Sequence, residues 1–174
     1  EALACEDRSL LAAGEAAGEW GLREAVCRYL YQARGVNCRP GQLVIGAGNE
    51  YLLMLLAQVL GPGKKVAIEN PTYRNAYRTL ANMGYQMIAV PGDKYGIRVG
   101  EMEVMQPDIV YAMPSHQFPM GTVMPLKRRL MLLKWASGRR GRYIIEDDHD
   151  SEFRYKGKPI PSLQGIDGSG TVIY

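Results

Sequence analysis

Short apolar runs alternate along this chain with longer stretches of helical period. Leu22, Val26, Tyr29 and Leu30 recur on one face, which predicts an amphipathic helix over 22–33 with Gly35 as its stop. Pro40-Gly41 marks a turn, and 42–45 reads as a short strand. After Gly46-Ala47-Gly48, Asn49 is a natural N-cap for an apolar helix over 50–60, closed by Gly61-Pro62-Gly63. The same order then returns in different residues. A strand over 65–69 leads through Asn70-Pro71 to a helix over 72–83, ended by Gly84, and to a strand over 85–90. Residues 92–103 are polar, with Gly96 and Gly100, and read as a loop with a weak turn of helix. A strand over 108–113, a loop over 114–124 and a helix over 125–137, with Pro125 near its first turn, come next. The strand opening at Arg142, a loop to Gly170 and a last strand over 171–174 complete the run. Residues 1–19 are small and acidic without a clear period and read as a lead-in segment, leaving 20–174 as one domain. Strands alternating with helices of about a dozen residues predict an α/β fold: a mainly parallel central sheet with helices on both faces.

Bulk properties narrow the function classes. With 174 residues, 47% hydrophobic and 22% charged, the chain has enough apolar content for one ordinary globular core. Its net charge of +3 is too small to argue by itself for nucleic acid. Cys5, Cys27 and Cys38 have no metal-ligand spacing, and an odd number of thiols fits a reducing cytoplasm. The longest apolar run, Tyr51 to Ala57, is too short to span a bilayer, and no signal-peptide pattern opens the chain. The chain begins without Met and stops inside the apolar run 171–174, which reads as a fragment cut at both ends.

The chemistry-bearing residues cluster where strands are expected to end. Arg142-Tyr143-Ile144-Ile145 runs straight into Glu146, Asp147, Asp148 and Asp150. Four acids beyond one strand end raise one another's pKa unless a cation or donor offsets them, and that end is where α/β sheets bind ligands. A metal, an Arg or a protonated ring nitrogen would meet the need. Gly46-Ala47-Gly48-Asn49 precedes a helix start, where free N–H groups and the helix dipole favour an anion; it is neither a Walker nor a Rossmann spacing. The same turn could simply need glycine. Tyr73, just after Asn70-Pro71-Thr72, can cover a planar ligand or pack on its own helix. In Pro114-Ser115-His116-Gln117-Phe118-Pro119-Met120-Gly121 the adjacent Ser and His point apart, a poor nucleophile-base pair, so the loop reads as a polar hand through His116 or Gln117, or as a connector. Together these loops offer an anion cradle, an aromatic, a polar hand and a carboxylate, the parts that hold a phosphorylated heteroaromatic cofactor.

Those blocks, with Glu69-Asn70-Pro71-Thr72-Tyr73, Glu146-Asp147-Asp148-His149-Asp150-Ser151-Glu152-Phe153-Arg154-Tyr155 and Pro159-Ile160-Pro161-Ser162-Leu163-Gln164-Gly165, resemble the aminotransferase-like domain of MocR-type regulators, in the GntR group of bacterial transcription factors. The resemblance runs from about Gly18 to the end of the chain. It implies part of the large domain of the fold-type-I pyridoxal 5′-phosphate (PLP) transferase fold, behind an N-terminal winged helix-turn-helix. By position, Ala47, Gly48 and Asn49 would give backbone N–H groups to the PLP phosphate, Tyr73 would stack on the ring, and Asp147 would pair with the ring N–H. His116 or Gln117 would reach the ring's phenolic oxygen.

Three departures stand out. His149 replaces the family's usual Tyr, Asn49 stands where Thr or Ser is commoner, and Phe118-Pro119-Met120-Gly121 replaces Asn-Pro-x-Gly. The family's cofactor-bearing lysine would follow Tyr174, so no catalytic residue is expected within this segment, nor the C-terminal small domain. The resemblance further implies a cytoplasmic homodimer, an amino compound or PLP itself as effector, operator DNA as partner, and no metal or membrane. A stand-alone aminotransferase and a magnesium-dependent phosphoryl-transfer domain using the acidic cluster are the other readings.

Overall fold

The computed structural model describes residues 12–151, 153 and 161–174. Most of the lead-in segment, and Glu152, Arg154, Tyr155, Pro159 and Ile160 of the closing motifs, lie outside the described residues.

Among the described residues six strands form one sheet: β1 (Lys65–Asn70), β2 (Gln86–Asp93), β3 (Gly96–Ile97), β4 (Ile109–Ala112), β5 (Tyr143–Glu146) and β6 (Val172–Ile173). Their order is β3-β2-β1-β4-β5-β6, and every neighbouring pair is parallel except the β2–β3 hairpin. The helices are α1 (Trp20–Arg34), α2 (Asn49–Leu60), α3 (Arg74–Asn82), α4 (Val99–Val104) and α5 (Leu126–Ser137). This is the α/β sheet with helices on both faces that the pattern predicts.

Side chains alternate between the two faces of a strand, and here both faces are buried. Val66, Ile68, Ile109, Tyr111 and Ile145 pack with Leu53 and Ala57 of α2 and with Ala76 and Leu80 of α3. Ala67, Val110, Ala112 and Ile144 pack on the other side with Met102 of α4 and with Leu132, Trp135 and Ala136 of α5. A strand covered twice has no polar face to show, which is why these segments read as unbroken apolar runs. Each large apolar side chain buried in this way contributes roughly 1.5–3 kcal/mol. α1 ends where expected. Gly35 takes φ 69° and its N–H bonds Tyr31 O at 3.0 Å, a left-handed cap.

Two elements differ from the expectation. Residues 42–45 are not a strand; a 3-10 turn over Pro40–Gln42 leads into irregular chain, with Ile45 N–H on Ala17 O at 2.9 Å. The run has strand-forming residues, but its Ile45 N–H pairs with Ala17 rather than with a strand of the sheet, and both sides of β1 are taken by β2 and β4. Residues 92–103 include the expected turn of helix as α4 but also the end of β2 and β3 in place of a loop, because Ile97, Val99 and Met102 are fully buried there. Gly96, at φ 93°, makes the hairpin possible, since a Cβ would sit 3.1 Å from Glu69 Oε1. Among the described residues no helix is long and apolar enough to cross a membrane.

Candidate functional site

The β4–β5 ladder continues one residue beyond β5, where Asp147 N–H bonds Ala112 O at 2.9 Å. Strand alternation then sends the Asp147 carboxylate toward the α2 side. There it accepts the Tyr111 hydroxyl and, at 3.0 Å, Asn49 Nδ2. Glu146 faces the other way and accepts the N–H groups of Leu163 (2.7 Å) and Gln164 (2.9 Å). Asp148 meets Arg34 in two bonds, Nε to Oδ2 at 2.6 Å and Nη2 to Oδ1 at 3.0 Å, with the side chains 4% and 5% exposed. The Tyr174 hydroxyl donates to the same carboxylate at 2.6 Å, and Arg34 Nη2 also donates to Ser115 Oγ at 2.6 Å. Asp150, in the left-handed region at φ 52°, lies 3.2 Å from His149 Nε2.

The acids therefore do not form one cluster. Each has its own environment, and the compensating charge that the sequence demands is Arg34 for Asp148 and backbone amides for Glu146. Burial pushes Glu146 up to about 7, although its two amides favour the charged form. Burial also penalises Asp148, but the hydrogen bonds from Arg34, Ser115 and Tyr174, with the Arg34 charge, outweigh it and hold Asp148 below the ordinary carboxylate range. Burial, with Asp147 alongside, pushes the Tyr111 phenol far above its usual value, so it remains a hydrogen-bond donor at neutral pH. Among the described residues no group of three or more His, Cys, Asp or Glu side chains is arranged to hold a metal ion. The phosphoryl-transfer reading rested on clustered carboxylates, and these are dispersed.

The glycine turn divides its labour. A Cβ on Gly46 would lie 2.5 Å from Leu52 Cδ2, so this glycine serves packing. Gly48 has open space around it and is fixed instead by its backbone, φ 99°. It is Gly48, not Asn49, that caps α2. Asn49 is the first helical residue, which frees its amide for Asp147. Ala47 and Gly48 are exposed, and the first-turn N–H groups of α2 have no intrahelical acceptor.

Tyr73 is half-buried, and its hydroxyl donates to Glu50 Oε1 in the first turn of α2 at 2.8 Å. Its ring meets Phe118 edge to face at 6.1 Å, and Phe118 meets His149 in the same way at 6.4 Å. His116, Phe118, His149 and Phe153 line a cavity of about 520 Å³. Gln117 is buried, with Nε2 on Pro71 O at 2.8 Å and Oε1 accepting Met120 N–H at 3.0 Å. Its amide serves the loop. The His116 Nδ1, in contrast, is buried without a hydrogen-bond partner, which makes it the member of the pair with a ring nitrogen to offer.

Sequence reasoning did not find Tyr111 and the Asn49 amide as partners of Asp147, nor Arg34 as the partner of Asp148. For Tyr111 a signal was present: a tyrosine in the middle of a doubly buried strand must find a partner for its hydroxyl. Taken together, a carboxylate oriented by neutral donors, a glycine turn at a helix start and a half-buried aromatic form a donor set that suits a flat, cationic heteroaromatic with an anionic arm.

No family model matches the chain. It is similar to an HTH-type transcriptional regulator of Bacillus subtilis, YdeL, at 46% identity over 92% of this chain and 35% of that protein. It is also similar to the rhizopine catabolism regulatory protein MocR of Rhizobium meliloti, at 36% identity over 88% of this chain and 31% of the relative. Among solved structures it superposes on the kynurenine aminotransferase of Pyrococcus horikoshii, crystallised with PMP, with TM-score 0.88 and 30% identity over 99% of this chain and 45% of that one. The chain thus spans about a third of the length of the curated relatives it matches.

Proposed function

We propose that the chain, which is similar both to MocR-type regulators and to aminotransferases, is the PLP-binding, effector-sensing domain of a bacterial transcriptional regulator. The observation that carries the cofactor assignment is Asp147, held at the carboxyl end of β5 by Tyr111 and Asn49. A carboxylate fixed there keeps a pyridine nitrogen protonated, and PLP, when bound, supplies an electron sink for carbanion chemistry at an amino compound. In this reading Ala47, Gly48 and Asn49 present backbone N–H groups to the phosphate and Tyr73 covers the ring. His116 and His149 face its phenolic edge, with Gln117 holding the loop that carries His116.

The regulator reading is supported by similarity to proteins named as HTH-type regulators over only a third of their length. The proposal places a DNA-binding winged helix-turn-helix ahead of this domain, and the cofactor-bearing lysine and small domain after it. The whole protein would be cytoplasmic. PLP, or an amino compound reacting with it, would shift the domain between two states and so alter operator occupancy, to the extent that it binds one state more tightly. Exposed Trp20, Tyr29, Tyr31, Tyr51, Met54 and Val59 on α1 and α2 form apolar surface of the kind a partner subunit covers, which supports a homodimer. The stand-alone aminotransferase remains the second reading, supported by the likeness to the archaeal enzyme.

The deciding experiment uses the full-length protein and its own upstream DNA in a binding titration with and without PLP, beside a transamination assay. PLP-dependent DNA affinity supports the regulator. Transamination by a protein without DNA affinity overturns it in favour of the enzyme.

A further inference from the structure

The loop that follows α1 folds back so that two thiols meet. Cys27 Sγ and Cys38 Sγ lie 3.4 Å apart, and both cysteines are free. Cys27 is buried in α1, whereas Cys38 is half-buried and is the one a dissolved reagent reaches first. A disulfide needs its sulfurs at about 2.05 Å, so closure asks these side chains to approach by a little over an ångström.

The approach is held in place from several directions. Asn37 N–H donates to Gln164 Oε1, and Gln164 Nε2 donates to Asn37 O, both at 2.8 Å. Arg39 N–H bonds Gln42 Oε1 at 3.0 Å, and Arg23, one helical turn from Cys27, reaches Pro40 O at 3.1 Å. The Gly35 cap and buried Val36 fix the chain between the two sulfurs. Neither cysteine takes part in the proposed cofactor site.

We propose that Cys27 and Cys38 form a reversible dithiol–disulfide site whose reaction partner is a low-molecular-weight disulfide of the glutathione class. The Cys38 thiolate attacks one sulfur of that disulfide, breaks its S–S bond and releases one thiolate. Cys27, as thiolate, then attacks the Cys38 sulfur of the mixed disulfide and releases the second. The two protein thiols are oxidised by two electrons, the reagent is reduced to two thiols, and the two protein protons end on them. Burial, with Cys27 alongside, pushes the Cys38 thiol up to about 11, so the exchange is slow at neutral pH and quickens as pH rises. The new bond would span the α1 stop beside Arg34, which braces Asp148, and so tie the redox state of the loop to the segment that supports the β5 exit.

The test takes the full-length protein in a Cys5→Ser background, fully reduced and freed of reductant. It is incubated with glutathione disulfide, blocked with N-ethylmaleimide and digested with trypsin without reduction. The expected product is peptide 24–28 joined to peptide 35–64, forming about tenfold faster for each pH unit between about 7 and 9 and returning to two thiols with dithiothreitol. The oxidised form should also melt at a higher temperature than the reduced form, a difference absent from Cys38→Ser. Glutathione retained on Cys38, or both cysteines carrying maleimide after long incubation at high pH, overturns the proposal.

Discussion

Asp147 owes its position to two donors that come from distant parts of the chain. Removing one should weaken the site without dismantling it. Tyr111→Phe keeps the ring in the α2-side core and deletes only the hydroxyl, so PLP affinity of the full-length protein should fall about 2- to 12-fold, the roughly 0.5–1.5 kcal/mol scale of one net hydrogen bond. A spectroscopic PLP titration measures this, with Asn49 Nδ2 left as the remaining donor. Glu69 is a second residue with a definite consequence. Its Oε2 is buried without a partner, and burial pushes the group up to about 7, against the bonds from Ile97 and Gln117 and the Arg128 charge. Its folded pKa lies above its unfolded value of 4.5, so its contribution is fully present below pH 4.5 and is lost as pH rises to about 7. Glu69→Gln should therefore be near neutral at pH 4.5 and stabilising by roughly 2–3 kcal/mol at pH 8, read from urea midpoints at the two pH values. Of these features the residue pattern marks only the run of acids after an apolar strand, and the resemblance singles out Asp147 among them. It does not reveal Tyr111: the strand pattern gives a face, not the neighbour across it.

At the scale of elements, one contact fastens the end of α1 to the β5 exit. Arg34 and Asp148 are 114 residues apart, both nearly inaccessible and bonded at two points. Taking one partner from a buried pair leaves the other charge uncompensated, so Arg34→Met should cost roughly 3–5 kcal/mol, measurable as a lowered denaturation midpoint. Asp148 has a depressed pKa, so the stability it contributes is present above its ordinary carboxylate pKa and is lost as pH falls through the lower folded value. Arg34→Met should accordingly also remove part of the acid sensitivity of unfolding. The helices α1, α2, α3 and α5 and the strands β1, β2, β4 and β5 are legible because period and apolar runs are local properties. Residues 42–45 are not, because strand-forming residues make a strand only where the chain sets a partner strand beside them. β3 is hidden, and α4 shows only as a weak turn of helix, for the opposite reason: polar positions and glycines surround Ile97, Val99 and Met102, whose burial is decided by the sheet they land on.

At the scale of the whole molecule, the parallel sheet gathers loops from distant sequence at one edge, and that gathering turns scattered motifs into a site. The two carboxyls that burial raises to about 7, Glu69 and Glu146, both draw protons into the folded state, so between about pH 4.5 and 7 they erode stability as pH rises. Asp148 acts in the opposite sense at lower pH. A shallow stability maximum on the acid side of neutrality is expected for the domain, seen as melting temperature against pH. The fold and the order of the loops are legible from pattern and resemblance, whereas the dispersal of the four acids is not, since it depends on Arg34 and the 163–164 turn arriving from elsewhere in the chain. The measurement that tests the central claim most directly is an equilibrium titration of PLP into the full-length protein and its Asp147→Asn variant, with folding of both checked by circular dichroism. Saturable binding weakened at least about tenfold by the substitution, some 1.4 kcal/mol, is the predicted result. Equal affinity in the two proteins, or no binding by the unaltered one, would contradict the account.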